Sequence, residues 1–114
     1  MNRVLVTGAN GFVGSNLCRW FRERGWDVDA LVRETSDLRF LDGLDVRLIK
    51  GDLGFSGRID LPAGTTHIVH AAALVSDTAG DADCARNIFD ATRSFVGRLR
   101  ESGAPLRRFV YVST

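Results

Sequence analysis

The feature that most constrains this chain is a glycine-rich segment, Thr7-Gly8-Ala9-Asn10-Gly11-Phe12-Val13-Gly14, between a predicted strand and a predicted helix. The apolar run Val4-Leu5-Val6 before it is typical of a buried parallel strand. After it, apolar residues recur at helical spacing: Val13, Leu17, Trp20 and Phe21. A strand, a glycine turn and a helix in this order predict a loop that binds the phosphates of a dinucleotide. The alternative is a βα turn without a ligand, and the regular spacing of the glycines argues against it.

Each glycine of this segment has a separate expected role. Gly8 allows the chain to turn sharply out of the strand. Gly11 leaves the backbone bare, so that it approaches a pyrophosphate closely, and Gly14 allows the helix to pack tightly on the first strand. A helix that begins near Gly11 or Phe12 would direct its unpaired N–H groups and the positive end of its dipole at the anion.

The order of predicted elements indicates an α/β fold. Strands are predicted at 3–7, 27–32, 45–50, 67–72 and 108–113, and helices at 12–24, 36–42 and 82–101. Alternation of this kind implies a parallel sheet with helices on both faces. Right-handed crossovers then predict a Rossmann-type doubly wound sheet with strand order 3-2-1-4-5 and a ligand at the switch between strands 1 and 4. Glycines and a proline between residues 52 and 67 predict a loop there.

Five segments in order resemble the extended branch of the short-chain dehydrogenase/reductase superfamily, which comprises epimerases, dehydratases and reductases. The first is the glycine segment, with its Gly-x-x-Gly-x-x-Gly spacing after Thr7. The other four are Asp27 to Arg33, Gly51-Asp52-Leu53, His70-Ala71-Ala72-Ala73 and Phe109 to Thr114. The resemblance covers essentially the whole chain. It implies an NAD(P)-binding Rossmann domain over residues 1–114 and, in the parent enzyme, a nucleotide sugar or another hydroxyl or keto substrate.

The resemblance also implies site residues at the carboxyl ends of the strands. The coenzyme-binding positions would be Gly8, Asn10, Gly11, Phe12, Val13, Gly14, Arg33, Asp52, Leu53, Ala71, Ala72 and Ala73. Asp52 would accept a hydrogen bond from the adenine amine and Leu53 would pack on the ring, unless Asp52 only stabilises a turn. The alanines would leave space for a flat ligand, although a close-packed strand end would use alanine too. Thr114 would supply the catalytic hydroxyl that holds the substrate oxygen.

The end of the second strand bears on the choice between NAD and NADP. An acidic residue there selects NAD by binding the ribose hydroxyls, whereas an arginine accommodates the 2′-phosphate of NADP. The chain has Val32-Arg33-Glu34 at this point. Because Arg33 takes the place of the selecting acid, NADP is favoured. A shift of one residue would bring Glu34 to the ribose, so NAD stays open.

Composition favours a soluble cytoplasmic domain. The chain has 15 basic and 14 acidic residues, so no bulk charge attracts nucleic acid or a membrane. Its apolar runs are too short to span a bilayer, and the first strand begins too early to leave room for a signal peptide. The two cysteines, Cys18 and Cys84, have neither metal-site nor disulfide spacing and are expected to be reduced, packed thiols.

The length of the chain is too short for a complete enzyme of the resembled family. One domain of 114 residues is shorter than a complete enzyme of the resembled family, and the family's Tyr-x-x-x-Lys pair and substrate domain are not among them. We therefore expect an incomplete coenzyme-binding domain, truncated after strand 5 and inactive by itself. The alternative is a non-catalytic NADP-binding module that senses the coenzyme or binds a partner. Without a sixth strand, the apolar segment Phe109 to Val112 would form an unpaired sheet edge, which predicts self-association.

Overall fold

The computed structural model describes residues 2–33, 37–51, 62–71, 93, 96, 97, 99–101, 103 and 105–112. Its elements are β1 (Arg3–Thr7), α1 (Phe12–Glu23), β2 (Asp27–Val32), a 3-10 turn at Arg39–Leu41, β3 (Arg47–Lys50), β4 (His67–His70) and β5 (Arg108–Tyr111). The described residues between 93 and 101 are also helical, within the range predicted for the last helix. Much of that helix and most of the predicted loop at 52–67 lie outside the described residues.

All five strands are parallel, in the order β3-β2-β1-β4-β5. This confirms the predicted Rossmann-type α/β fold and its strand order. The chain runs outward from β1 to β3 and then returns to the other side of β1, so the order reverses between β1 and β4. At this reversal Thr7 pairs with His70. Ligands of open α/β sheets bind outside the carboxyl ends of the strands at such a reversal, which makes the Thr7–His70 end of the sheet the place to look for a site.

The sheet buries apolar residues on both faces, as a parallel sheet requires. On one face, α1 covers a cluster that includes Val4, Val6 and Ala30, and Cys18 of the helix packs into it. On the other face the buried apolar residues are Leu5, Leu31 and Ile68.

Burial raises the pKa of the Cys18 thiol to about 12. Cys18 is therefore a packed thiol, as predicted, whereas Cys84 lies outside the described residues.

A buried carboxylate joins three strands near the amino end of the sheet. The side chain of Asp29 in β2 is 1% exposed and binds Arg3 of β1 and Arg47 of β3. Arg3 donates from Nε (2.7 Å) and Nη2 (3.0 Å), and Arg47 donates from Nε (2.8 Å). The hydrogen bond to Asp29 raises the pKa of Arg3. Both oxygens of this buried carboxylate are thereby satisfied by charged donors.

Several elements are shorter than the sequence predicts. β3 begins at Arg47 rather than 45, because Val46 N bonds locally to Leu44 O. β4 ends at His70 rather than 72, because the N–H of Ala71 donates to the hydroxyl of Thr7. β5 ends at Tyr111 rather than 113, and α1 ends at Glu23 rather than 24. Where a helix was predicted at 36–42, the described part contains only the three-residue 3-10 turn, which buries Leu41.

The outer edge of the sheet at β5 is apolar and exposed. Val110, Tyr111 and Val112 are 48%, 43% and 37% exposed. Within the described part of the chain, β5 pairs with β4 alone. The exposed edge is the one expected from the sequence, and self-association along it stays a prediction. Among the described helices, none has the length and apolar character needed to cross a membrane.

Candidate functional site

The turn between β1 and α1 requires two of its three glycines for its own geometry. Gly8 has φ 64°, in the left-handed region that favours glycine. At Gly14, an added Cβ would overlap the carbonyl oxygen of Gly8 and lie 2.8 Å from Cα of Ala9. The close approach predicted at Gly14 is thus present, although its partner is the turn after β1 rather than the strand itself.

Gly11 differs, because the protein gives no steric reason for a glycine there. Its φ is −79° with extended ψ, a conformation that any residue adopts. An added Cβ would come no closer than 3.4 Å to another atom, the carbonyl oxygen of Gly8, which is ordinary van der Waals contact. Gly11 is also exposed. A side chain at Gly11 would therefore obstruct whatever approaches the turn from outside, rather than the turn itself.

The amino end of α1 is electrostatically open to an anion. Gly11 is the N-cap residue, no side chain caps the helix there, and the first turn has no acidic residue. The N–H groups of the first turn of a helix have no partner within the helix and carry its positive partial charge. Ser15 and Asn16 donate to the carbonyl of Phe12 and do not cap this end. The structure therefore brings bare backbone and a positive helix end together at Gly11.

The other residues of the glycine segment surround this open end. Asn10 is half-buried in the turn. Phe12 and Val13, the first two residues of α1, are 77% and 47% exposed. Large exposed apolar side chains beside a bare helix end are suited to contact a ligand that carries flat rings as well as phosphates.

A buried hydrogen-bond network ties β1 to β4 beside the turn. Thr7 and His70 are 0% and 1% exposed, and Thr7 Oγ1 lies 2.7 Å from His70 Nδ1. The same hydroxyl accepts the N–H of Ala71 at 3.0 Å. The His70 ring packs against Phe109 and Tyr111 of β5, with ring centroids 6.1 Å and 5.6 Å away. One histidine thereby connects the carboxyl ends of β1, β4 and β5.

Burial lowers the pKa of His70, which predicts a pH-dependent stability. A histidine whose pKa is lower in the folded than in the unfolded chain stabilises the fold fully above its unfolded value, near 6.5. That stabilisation decreases as the pH falls towards the folded pKa, by at most about 1.4 kcal/mol per pH unit for one group. NMR titration of the imidazole carbons should show His70 titrating below its ordinary value of 6.5. Titration at or above its ordinary value would contradict the prediction, and His70→Asn assigns the signal.

The carboxyl end of β2 lies beside the same turn. Ala9 N donates to Leu31 O at 3.5 Å, and Gly51 N donates to Val32 O at 3.0 Å. Arg33 follows directly and is exposed. The structure thus brings Arg33, the glycine turn, Ala71 and the end of β3 to one edge of the sheet.

Five further predicted site residues lie outside the described residues: Asp52, Leu53, Ala72, Ala73 and Thr114. Glu34 lies outside them as well.

Sequence reasoning missed the hydroxyl of Thr7 as a functional group of this edge. The sequence indicates Thr7 only as the residue before the first glycine, and His70 only as a residue that matches the resembled family. The available signal was their position: Thr7 ends the strand predicted at 3–7, and His70 lies near the end of the strand predicted at 67–72. The predicted strand order makes these two strands neighbours. A buried hydroxyl and a buried imidazole at adjoining strand ends need hydrogen-bond partners, and these two groups lie 2.7 Å apart.

Comparisons with known proteins agree on one family. Residues 4–114 match the NAD dependent epimerase/dehydratase family. The chain is 39% identical over 116 residues to sterol demethylase protein B of Methylococcus capsulatus, covering 97% of this chain and 34% of that protein. It is 33% identical over 112 residues to the ceramide reductase of Caulobacter vibrioides, with the same coverages, 97% and 34%. The crystal structure of gox2253 matches with a TM-score of 0.80 and 29% identity, over 100% of this chain and 34% of that one. The chain spans about a third of the length of these relatives.

Proposed function

This chain belongs to the NAD dependent epimerase/dehydratase family, in the extended short-chain dehydrogenase/reductase superfamily, and on that premise we propose that it forms the coenzyme-binding part of an NADP-dependent reductase or epimerase. The coenzyme class is a nicotinamide dinucleotide. The observation that carries the proposal is Gly11, an exposed glycine that the fold does not need, at the uncapped amino end of α1. A phosphate that approaches the backbone closely explains it.

The residues at this edge have distinct roles in the proposed complex. The N–H groups at the start of α1 would hold the pyrophosphate, and Arg33 would hold the ribose end of the dinucleotide. Thr7 positions the backbone of Ala71, which would border the ligand from β4. When bound, the nicotinamide supplies hydride transfer. Thr114 would orient the oxygen of the substrate. The proton-transferring Tyr-x-x-x-Lys pair and the substrate-binding residues would lie outside residues 1–114, so these residues alone would bind the coenzyme without catalysis.

The relatives favour one substrate class. Their names refer to a sterol and to a ceramide, and both compounds are apolar and carry hydroxyl groups. We therefore favour an apolar hydroxyl or keto compound over a nucleotide sugar.

Titration of the chain with NADPH and with NADH, followed by the fluorescence of its two tryptophans, tests coenzyme binding. Saturable quenching is expected, and its absence with both coenzymes would overturn the proposed function.

Arg33 makes the preference for NADP testable. Arg33→Asp should lower the affinity for NADPH relative to NADH by about tenfold or more, because one charge-assisted contact to the 2′-phosphate is lost and a repulsive charge is added. Both dissociation constants are measured by fluorescence titration. The matched control is Arg19→Asp, the same charge change at an exposed position within α1. An unchanged ratio of the two affinities in Arg33→Asp would count against NADP.

A further inference from the structure

We infer that Lys50, the last residue of β3, is a second cation for the 2′-phosphate of NADP and acts together with Arg33. This inference rests on the proposed function and extends it to a residue that determines coenzyme specificity. The proposed function gives no role to Lys50, so its role is argued from its own position and charge.

The parallel pairing of β2 and β3 places Lys50 beside Arg33. Val32 and Lys50 are register partners, and the next residue, Gly51, donates its N–H to Val32 O at 3.0 Å. Neighbouring strands are about 4.8 Å apart. Arg33 directly follows Val32, so two cationic side chains start from adjoining points at the carboxyl end of the sheet.

Lys50 also lies on the appropriate face. Paired residues of neighbouring strands share a face of the sheet, and Val32 belongs to the cluster covered by α1. Lys50 is therefore on the side of the sheet that carries α1, whose open amino end is the proposed pyrophosphate site. A dinucleotide that extends from this helix end across β2 would bring its adenosine ribose towards β3.

The charge of Lys50 is uncompensated within the described part of the chain. Lys50 is exposed and makes no ion pair with any described residue. Three described carboxylates lie between β2 and β3, and none of them pairs with Lys50. Asp37 binds Arg39 at 2.7 Å and Asp45 binds Arg22 at 2.9 Å, whereas Asp42 is exposed and makes no ion pair with a described residue. A phosphate monoester carries a charge of about −1.5 to −2 at neutral pH. It would be attracted by Arg33 and Lys50 at once.

A lysine on an edge strand has another common role, which is to discourage edge-to-edge pairing. Coenzyme specificity separates the two roles. If Lys50 only protects the edge, its removal leaves the affinity for both coenzymes unchanged. If Lys50 binds the 2′-phosphate, its removal weakens only the ligands that carry this group.

The experiment compares the unmodified chain with Lys50→Ala, Lys50→Arg and Arg108→Ala by isothermal titration calorimetry. The ligands form two pairs that differ by the 2′-phosphate: NADPH with NADH, and 2′,5′-ADP with 5′-AMP. Lys50→Ala should weaken NADPH and 2′,5′-ADP about tenfold, as expected for one exposed charge-assisted contact, and leave NADH and 5′-AMP unchanged. Lys50→Arg should retain the preference. Arg108→Ala removes the same charge at the exposed first residue of β5, at the opposite end of the sheet, and should change neither pair.

The outcomes distinguish this inference from the proposed function. Equal weakening of both members of a pair, or unchanged binding of NADPH and 2′,5′-ADP in Lys50→Ala, overturns the role of Lys50 while coenzyme binding stands. Equal affinity of the unmodified chain for NADPH and NADH overturns 2′-phosphate recognition by Lys50 and Arg33 together. Failure of the unmodified chain to bind any of the four ligands overturns the proposed function, and the role of Lys50 with it.

Discussion

Gly11→Val should abolish coenzyme binding and leave the fold intact. The valine side chain would occupy the space through which a phosphate reaches the N–H groups at the start of α1. Loss of two or more charge-assisted hydrogen bonds predicts an affinity for NADPH and NADH lower by about 100-fold or more. Stability should change by no more than about 1 kcal/mol, the usual effect of an N-cap substitution. The backbone at Gly11 accepts a side chain, because its φ is −79° and an added Cβ would lie 3.4 Å from the Gly8 carbonyl oxygen, an ordinary contact distance.

Gly14→Ala provides the contrasting control for this experiment. Its new methyl group would overlap the backbone of Gly8 and Ala9, so the turn must distort, at a cost of about 1–3 kcal/mol. Urea unfolding followed by circular dichroism should therefore show a lower midpoint for Gly14→Ala than for Gly11→Val, although Gly14→Ala makes the smaller change. If Gly11→Val binds NADPH as tightly as the unmodified chain, the proposal that phosphate binds at this turn is wrong.

The parts of the fold that could be predicted from the sequence are those set by local chemistry. The glycine turn was one of them, because Gly8 and the helical spacing after it each depend on residues close in the chain. The strand order followed from general rules of chirality, once alternating elements had been recognised. The phosphate-binding role of Gly11 stays a prediction, and the structure adds that the turn itself does not require a glycine there.

What the sequence could not predict depends on pairs that meet only in three dimensions. The end of β4 is set by the hydroxyl of Thr7, 64 residues from Ala71 in the chain. The position of Lys50 beside Val32 depends on the register of two strands, which propensity does not give. The short helix expected at 36–42 had apolar residues to bury, but among its described residues only Leu41 is buried. Tertiary packing therefore decided these positions.

The network around Asp29 is a further example of a contact that no local pattern indicates. Arg3 and Arg47 lie 26 and 18 residues from Asp29 in the chain. All three side chains share one face, because Asp29 pairs with Leu5 and Arg47 in the parallel register and Arg3 precedes Leu5 by two residues. The carboxylate therefore bridges the three strands that carry the glycine turn, Arg33 and Lys50. Its energetic contribution follows from its burial.

Asp29→Ala should lower the free energy of unfolding by about 2 to 4 kcal/mol. Removing one partner of a buried ion pair is strongly destabilising, because the remaining charges lose their compensation. The upper part of the usual range is not reached, since the Arg3 and Arg47 side chains are 25% and 55% exposed and regain water. Urea unfolding followed by circular dichroism measures the change.

Arg47→Ala is the matched control for Asp29→Ala, because it removes one donor and leaves the carboxylate paired with Arg3 through two hydrogen bonds. It should cost less than about 1 kcal/mol, as is usual for a half-exposed pair. Asp29→Asn should lie between the two variants, because the amide keeps an acceptor for one guanidinium but carries no charge. If Asp29→Ala unfolds at the same urea concentration as the unmodified chain, the desolvation of the carboxylate cancels its attraction to both arginines. Strand pairing and the apolar clusters would then hold β1, β2 and β3 in register without it.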